Sequence, residues 1–276
     1  MRKAFERLGR AGAMACSDGG ELVIPLDAPR TMSEALLRTA PAQGDRGILH
    51  VEPGGSVKLQ RYSDLLVAAR RVLSGLRATG LAPHDKVILQ LDDLRDHFAA
   101  LWGCILGGFV PLTIARPPTD DRTHAVVKKL VNAWQLLDRP LVLAQDRTRD
   151  QLVRILHSAD AKPAIRIAAI ESLQTGPMAS DLHASTPDDL VFLQLTSGST
   201  GVAKCIQETH RGVVSHIHSV TRFNGYQDSD ITLNSGCRWT TWRPRSCAIS
   251  RIPTSAASRS IPGPRSSSVT RSRGSI

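Results

Sequence analysis

The sequence lacks the cysteine pattern of a disulfide-stapled or zinc-binding protein. Its cysteines are odd in number, and they show no paired metal-ligand spacing: they are Cys16, Cys104, Cys205, Cys237 and Cys247. Such a set suits a reducing compartment, because disulfide frameworks form where the surroundings are oxidising. The first 20 residues contain no apolar run of the length found in signal peptides. We therefore expect a cytoplasmic protein.

Acidic residues and lysine are absent from residues 235–276, which hold eight arginines and 11 serines among 42 residues. Because these arginines account for most of the net charge of +10, residues 1–234 carry a net charge of only +2, which is ordinary for a globular enzyme. The segment has scattered prolines and no apolar period, so its composition predicts a disordered tail. One interpretation is a basic tail that binds nucleic acid, since arginines release counterions from phosphates.

Charge is also absent from the 18 residues between Phe98 and Ala115, a run close to the length of a membrane span. Gly107, Gly108 and Pro111 interrupt this run. It therefore predicts a buried helix that ends at the glycines, followed by a short buried strand over 109–113. We expect no membrane as a partner.

Hydrophobic periodicity predicts an α/β fold. Helical patterns occupy 31–40, 63–79, 94–106, 123–137, 147–159 and 210–223, and strand patterns occupy 48–52, 57–61, 87–91, 109–113, 141–144, 165–169, 189–195 and 205–209. Residues 48–52 and 57–61 flank a Pro-Gly-Gly turn and predict a hairpin. Thr31 and Glu34 have the spacing of a capping box, so residues 31–40 predict a short surface helix. A polar linker is expected over 174–185. The other strands alternate with helices, which indicates βαβ units and a mainly parallel sheet flanked by helices.

A Ser/Thr/Gly-rich loop follows the strand predicted over 189–195. Glycines let the backbone approach an anion closely, while hydroxyls and a lysine add donors and positive charge. The lysine stands three residues after the second glycine, so the loop is not the P-loop of nucleoside triphosphatases. On composition alone, a flexible loop is the alternative, and a solvated surface lysine is the alternative for Lys204. The candidate phosphate-binding residues are Thr196, Ser197, Gly198, Ser199, Thr200, Gly201 and Lys204.

This loop resembles the signature of the adenylate-forming (AMP-binding) superfamily, [ST]-S-G-[ST]-T-G-x-P-K, with Ala203 where proline is usual. The superfamily comprises acyl-CoA synthetases, fatty acyl-AMP ligases, luciferases and the adenylation domains of nonribosomal peptide synthetases. Three upstream stretches are also similar to it: 60–65, 80–87 (with His84 in place of a glycine) and 105–112. Residues 194–196 and 205–210 are most similar to adenylation domains of hybrid polyketide and peptide synthetases.

The resemblance implies that residues 31–234 are the N-terminal part of the large domain of such an enzyme, after an N-terminal extension over residues 1–30. It implies ATP and magnesium as cofactors, a carboxylate substrate, and the thiol of CoA or of a carrier protein as the acyl acceptor. The loop would hold the β- and γ-phosphates, with Lys204 in direct contact. The magnesium ligand and a complete catalytic set have no counterpart here. We therefore expect a truncated ligase that is inactive as encoded, with a non-catalytic, nucleotide-binding remnant as the alternative.

A shifted reading frame is the second interpretation of residues 235–276, and the one that we favour. With suitable codons for residues 236–242, the frame that starts at the third base of the glycine codon encodes Leu-Pro-Leu-Asp-His-Val. This is similar to a segment that the family carries at this point. Only the aspartate in it is forced by the protein sequence, and the other residues are permitted by codon choice. On this interpretation nucleic acid is not a partner.

Two groups of polar residues have simpler explanations than a metal or catalytic site. His210, His216 and His218 lie on a predicted helix, where 216 and 218 point to different faces and no carboxylate or cysteine stands at ligand spacing. We expect helix-start and surface roles for them, and no metal. Asp92, Asp93 and Asp96 are expected at a helix start, where the helix dipole favours negative charge.

Overall fold

The computed structural model of the chain describes residues 20–51, 55–159, 165–196, 204–228 and 230–234. Within these ranges the chain forms seven α-helices and nine β-strands. The helices are α1 (Met32–Ala42), α2 (Tyr62–Ala78), α3 (Leu94–Gly107), α4 (Ala125–Leu136), α5 (Arg149–Ala159), α6 (Ile170–Gln174) and α7 (His210–Asn224). The strands are β1 (Gly47–Val51), β2 (Val57–Arg61), β3 (Lys86–Gln90), β4 (Val110–Thr113), β5 (Leu141–Ala144), β6 (Ile167–Ala169), β7 (Leu190–Thr196), β8 (Lys204–Thr209) and β9 (Thr232–Asn234).

The strands form two sheets. Six of them make a sheet of order β6-β5-β3-β4-β7-β8, in which every neighbouring pair is parallel except β7 and β8. The other three make a sheet of order β2-β1-β9, in which β1 and β2 form the predicted antiparallel hairpin and β9 lies parallel to β1. The fold is therefore α/β with a mainly parallel main sheet, as predicted.

Both faces of the main sheet are covered by helices. Along β3 the side chains of Val87 and Leu89 enter one hydrophobic core, while Ile88 between them enters the other. Helices α1, α2, α3 and α7 contribute to the first core, and α4 and α5 to the second. A sheet that is buried on both faces needs strands that are apolar throughout, and β5 (Leu141–Ala144) is of this kind, with all four residues buried.

The chain reverses its direction of travel across the sheet after β4. It runs from β3 to β4 on one side through α3, and then crosses through α4 to β5, on the other side of β3. The connections that leave β3 and β5 run in opposite directions, so the carboxyl ends of β3 and β5 flank the point where the strand order reverses. In open α/β sheets ligands bind beyond the carboxyl ends of the strands, near such a point.

The uncharged run is a core helix and a strand. Helix α3 is buried from His97 to Gly107, and Gly108 caps it in the left-handed conformation with φ of 71° before β4 begins. Glycine is needed there because other residues adopt positive φ only at a cost. No helix among the described residues has the length and apolarity required to cross a bilayer.

Two local expectations need correction, and two others fall outside the described residues. Helix α1 begins after Thr31, whose hydroxyl accepts the N–H of Glu34 as predicted, but the helix packs into the core and is not a surface helix. The polar linker predicted over 174–185 is preceded by a short helix, α6, that its sequence did not reveal. The tail, residues 235–276, and the greater part of the predicted N-terminal extension, residues 1–19, lie outside the described residues.

Candidate phosphate-binding site

Strands β7 and β8 are the two arms that carry the Ser/Thr/Gly-rich loop. They pair antiparallel, and the register places Thr196, the last residue of β7, directly opposite Lys204, the first residue of β8. The hydroxyl of Thr196 donates to the carbonyl oxygen of Lys204 over 3.5 Å. The two ends of the loop are therefore adjacent, and a strand follows the loop, as the sequence predicted.

The predicted site residues divide into two groups. Thr196 is half-buried and Lys204 is exposed, so the ammonium group of the lysine is available to a ligand in solvent. The structure brings these two together. The remaining five lie outside the described residues: Ser197, Gly198, Ser199, Thr200 and Gly201.

The loop leaves β7 at the carboxyl edge of the main sheet. Strand β4 is the parallel neighbour of β7, with Leu112 opposite Leu193, so the segments that follow β3, β4 and β5 emerge at the same edge. Thr196 and Lys204 thus lie on the side of the main sheet where ligands of open α/β folds bind.

A charged bridge that sequence analysis missed joins these segments. One carboxylate oxygen of Asp92, after β3, lies 3.0 Å from Nε of Arg116, after β4, and 3.5 Å from an Nη atom of Arg147, after β5. Two residues before Asp92, the buried amide of Gln90 donates to the carbonyl oxygens of Ile114 and Ala115, which also links the ends of β3 and β4. The only sequence signal was that each charged residue follows a buried strand closely.

The acidic residues at the start of α3 have two different roles. Asp93 is the N-cap, and its carboxylate accepts the N–H groups of Arg95 and Asp96, which confirms the helix-start prediction for this residue. Asp96 lies in the first turn, where burial raises the pKa of its carboxyl against the hydrogen bond from Gln174. Asp92 lies directly before this N-cap, at the predicted helix start, and its carboxylate in addition pairs with arginines of the segments after β4 and β5.

His210 begins α7, as predicted, but it is buried rather than on the surface. Its Nδ1 accepts the N–H of Met32 over 3.0 Å, which joins the first turns of α1 and α7. Burial lowers the pKa of the imidazole to about 4, so the ring is neutral near pH 7 and can accept this hydrogen bond. In the described part of the chain, no group of three or more His, Cys, Asp or Glu side chains could hold a metal ion.

The family model described as AMP-binding enzyme matches residues 37–249 of the chain. Among curated proteins, the chain is 28% identical over 211 residues to the nonribosomal peptide synthetase acyN of Ascocoryne sarcoides and 30% identical over 202 residues to the nonribosomal peptide synthetase btyA of Aspergillus terreus. These matches cover 74% and 68% of the chain, but only 22% and 20% of the relatives. The chain thus spans about a fifth of the length of these relatives.

Solved adenylation domains share the fold. One is the adenylation domain of a keto acid-selecting NRPS module bound to keto acyl adenylate, with a TM-score of 0.69 and 33% identity over 75% of this chain and 37% of that one. Another is McyG A-PCP complexed with phenylalanyl-adenylate, with a TM-score of 0.72 and 30% identity over 79% of this chain and 39% of that one. The chain belongs to the AMP-binding enzyme family.

Proposed function

We propose that this chain carries the phosphate-binding part of an adenylate-forming ligase. In that reaction a carboxylate oxygen attacks the α-phosphorus of ATP, pyrophosphate leaves, and the acyl adenylate passes its acyl group to a thiol. The observation that supports this most directly is the β7–β8 hairpin, which holds Thr196 and Lys204 opposite each other at the ends of the signature loop.

The role assigned to the loop is electrostatic. We assign the backbone N–H groups of residues 197–203 as donors to the β- and γ-phosphates. The hydroxyl of Thr196 exchanges its 3.5 Å hydrogen bond to Lys204 for a phosphate oxygen, and Lys204 offsets the charge that develops on pyrophosphate as it leaves. Hydrogen bonds of this kind are charge-assisted and correspondingly strong. Magnesium is the expected partner of the triphosphate, and the residues assigned here include no ligand for it.

We assign residues 31–234 to this partial large domain, and a carboxylic or amino acid to its substrate pocket. The acceptor that we propose is the thiol of a carrier protein, because one similar solved structure is an A-PCP protein bound to an adenylate. The thiol of CoA is the alternative acceptor, since another relative is a CoA ligase from Streptomyces carzinostaticus.

Replacing Lys204 by alanine should weaken ATP binding roughly tenfold to a hundredfold, because one charge-assisted contact to phosphate is lost. The measurement is calorimetric titration of the full chain with ATP, and separately with pyrophosphate. Lys86→Ala is the matched control, since Lys86 is also exposed but begins β3 at the opposite edge of the sheet. Equal affinities for Lys204→Ala and Lys86→Ala would reject the assignment of the loop.

Turnover is tested separately from binding. We expect the chain by itself to give no carboxylate-dependent ATP–pyrophosphate exchange, because the resemblance finds no counterpart for the magnesium ligand in its sequence. Robust exchange with any member of a panel of amino, keto and fatty acids would overturn this expectation while leaving the loop assignment in place.

A further inference from the structure

Two arginines share one carboxylate oxygen at the carboxyl edge of the main sheet. Oδ2 of Asp92 lies 3.0 Å from Nε of Arg116 and 3.5 Å from Nη2 of Arg147. Two positive charges thus face a single negative charge, and the group as a whole is positive. Its side chains are between 36% and 62% exposed, so a solute in water can reach them. The bridge is an accessible group with positive charge to spare.

Much of the hydrogen-bonding capacity of this bridge is unused. Arg116 approaches Asp92 through Nε, and its two Nη groups donate no hydrogen bond within the described ranges. Oδ1 of Asp92 likewise accepts none from the residues that the structure describes. A guanidinium group binds two oxygens of an oxyanion through such a pair of N–H groups. The bridge therefore combines free donors for an oxyanion with a free acceptor.

A buried acceptor without a donor lies at the end of β3. The side chain of Gln90 is fully buried, and its Nε2 donates to the carbonyl oxygens of Ile114 and Ala115, which directly precede Arg116. Its Oε1 has no hydrogen-bond partner in the described part of the chain. A buried acceptor that is left unpaired is costly, and such an atom in a folded protein calls for a donor. A group that binds at the end of β3 and carries a hydroxyl would supply one.

These side chains stand where ligands bind in open α/β sheets. Asp92 follows β3 and Arg147 follows β5, and the carboxyl ends of these two strands flank the point where the strand order reverses. Arg116 follows β4, the neighbour of β3 on the other side. Helix α3 begins at Leu94, and the positive end of its dipole also favours an anion. Position and charge thus agree on an anionic ligand.

Free donors beside unpaired acceptors distinguish one oxyanion from another. Inorganic phosphate keeps at least one proton near pH 7, so it accepts hydrogen bonds through its bare oxygens and donates one through its hydroxyl. Sulfate has lost both protons at this pH, and a phosphate monoester has mostly lost them because its second pKa is about 6. Arginines alone would bind all three anions. An unpaired carboxylate oxygen disfavours the two that have no proton to donate.

We propose that Asp92, Arg116, Arg147 and Gln90 form a binding site for inorganic phosphate. The two guanidinium groups bind the bare oxygens of the anion, and the phosphate hydroxyl donates to Oδ1 of Asp92. Gln90 holds the segment that leads to Arg116, and its Oε1 is a second acceptor at the end of β3. The site is separate from the signature loop, which follows β7, so this proposal and the loop assignment can fail independently.

Calorimetric titration of the full chain with inorganic phosphate at pH 7 tests the proposal. We expect phosphate to bind, and sulfate and glycerol phosphate to bind roughly tenfold more weakly or worse, at matched ionic strength. The Lys204→Ala variant should retain this binding, because Lys204 begins β8 and not the segments that form the site. No phosphate binding, or equal affinities for phosphate and sulfate, would overturn the proposal.

Arg116→Gln and Arg147→Gln should each lower the phosphate affinity roughly tenfold, because each removes a charge-assisted contact to the anion. Arg61→Gln is the matched control, since Arg61 also pairs with two carboxylates but lies on β2 in the other sheet. Phosphate binding that is lost in Lys204→Ala and kept in Arg116→Gln would place the anion in the loop and reject the site.

Asp92→Asn tests the selectivity separately from the affinity. The amide offers a donor as well as an acceptor, so the ratio of phosphate affinity to sulfate affinity should fall roughly tenfold, towards one. Both anions are titrated into the same variant, so this ratio does not depend on how much of the protein is folded. An unchanged ratio would show that Asp92 does not accept the phosphate hydroxyl, and would overturn the proposal.

Discussion

Truncation of Trp102 to alanine should lower the free energy of unfolding by about 3–5 kcal/mol. Trp102 is 1% exposed, in the middle of α3 and in the core that α3 shares with α1 and α2. The loss combines the burial of a large aromatic side chain with the cavity that remains, and the cavity term depends on how far the neighbours can move inward.

The neighbouring helices have little room to close such a cavity. A Cβ atom added to Gly103 would lie 2.9 Å from the carbonyl oxygen of Ala69 and 3.1 Å from Cβ of Val72, so α2 and α3 are already in near-backbone contact. We therefore expect the upper half of the range for Trp102→Ala.

Urea unfolding followed by circular dichroism measures the effect. Leu136→Ala is the control, because Leu136 is 64% exposed and its truncation should change the free energy of unfolding by no more than about 0.5 kcal/mol. A loss for Trp102→Ala as small as that of the control would mean that α3 is not the centre of a fixed core.

Local patterns predicted most of the main sheet because each strand and helix carries its own signal. The alternation of strands and helices from β3 to β6 predicted parallel strands. The glycines at 107 and 108 predicted the end of α3, where the structure has a left-handed cap at Gly108. The hydrogen bond that caps α1 joins Thr31 to Glu34, three residues further along the chain. A sequence pattern can indicate a contact of such short range. Contacts of this range depend on neighbouring residues alone.

The features that were missed depend on distant parts of the chain. The hydrogen bond from Met32 to His210 spans 178 residues, so local sequence could not indicate that α1 and His210 are buried against each other. Strand β9 has only three residues, and its pairing with β1 depends on how the whole chain folds, so its local sequence does not predict it. The bridge from Asp92 to Arg116 and Arg147 likewise forms only once β3, β4 and β5 lie side by side.

The candidate site likewise combines features that local sequence predicts with features that depend on distant parts of the chain. The signature residues were recognisable in the sequence because they are contiguous, and the hairpin register then adds that Thr196 and Lys204 face each other. The charged bridge at the same edge of the sheet links the segments after β3, β4 and β5 through tertiary ion pairs. Partly exposed pairs of this kind contribute little to stability individually, and their role here is to fix the positions of three loops.

Acidification from pH 7 to pH 5 should destabilise the protein through two buried histidines. Burial lowers the pKa of His97 to about 4, and burial likewise lowers the pKa of His210 to about 4, against an ordinary value of 6.5. Between pH 4 and pH 6.5 each of these histidines therefore binds a proton in the unfolded chain but not in the folded chain. The stabilisation is thus fully present above pH 6.5 and is lost as pH falls through 4.

For His97 the loss at pH 5 amounts to about 2 kcal/mol, and a similar loss is expected for His210. For His210 the physical consequence is specific, because a protonated Nδ1 cannot accept the N–H of Met32 and places positive charge at the first turn of α1. Asp96 acts in the opposite direction, since burial raises the pKa of its carboxyl and the folded state takes up that proton earlier than the unfolded chain does.

The test compares urea unfolding at pH 7 and pH 5 for the wild type and three variants. His97→Gln and His210→Gln should each remove about 2 kcal/mol of the difference between the two pH values, whatever they do to stability at pH 7. His157→Gln is the control, because His157 is exposed on α5 and should leave the difference unchanged. Equal pH dependence in all four proteins would show that neither buried histidine is kept neutral by the fold, and that His210 does not hold α1 against α7 through its neutral ring.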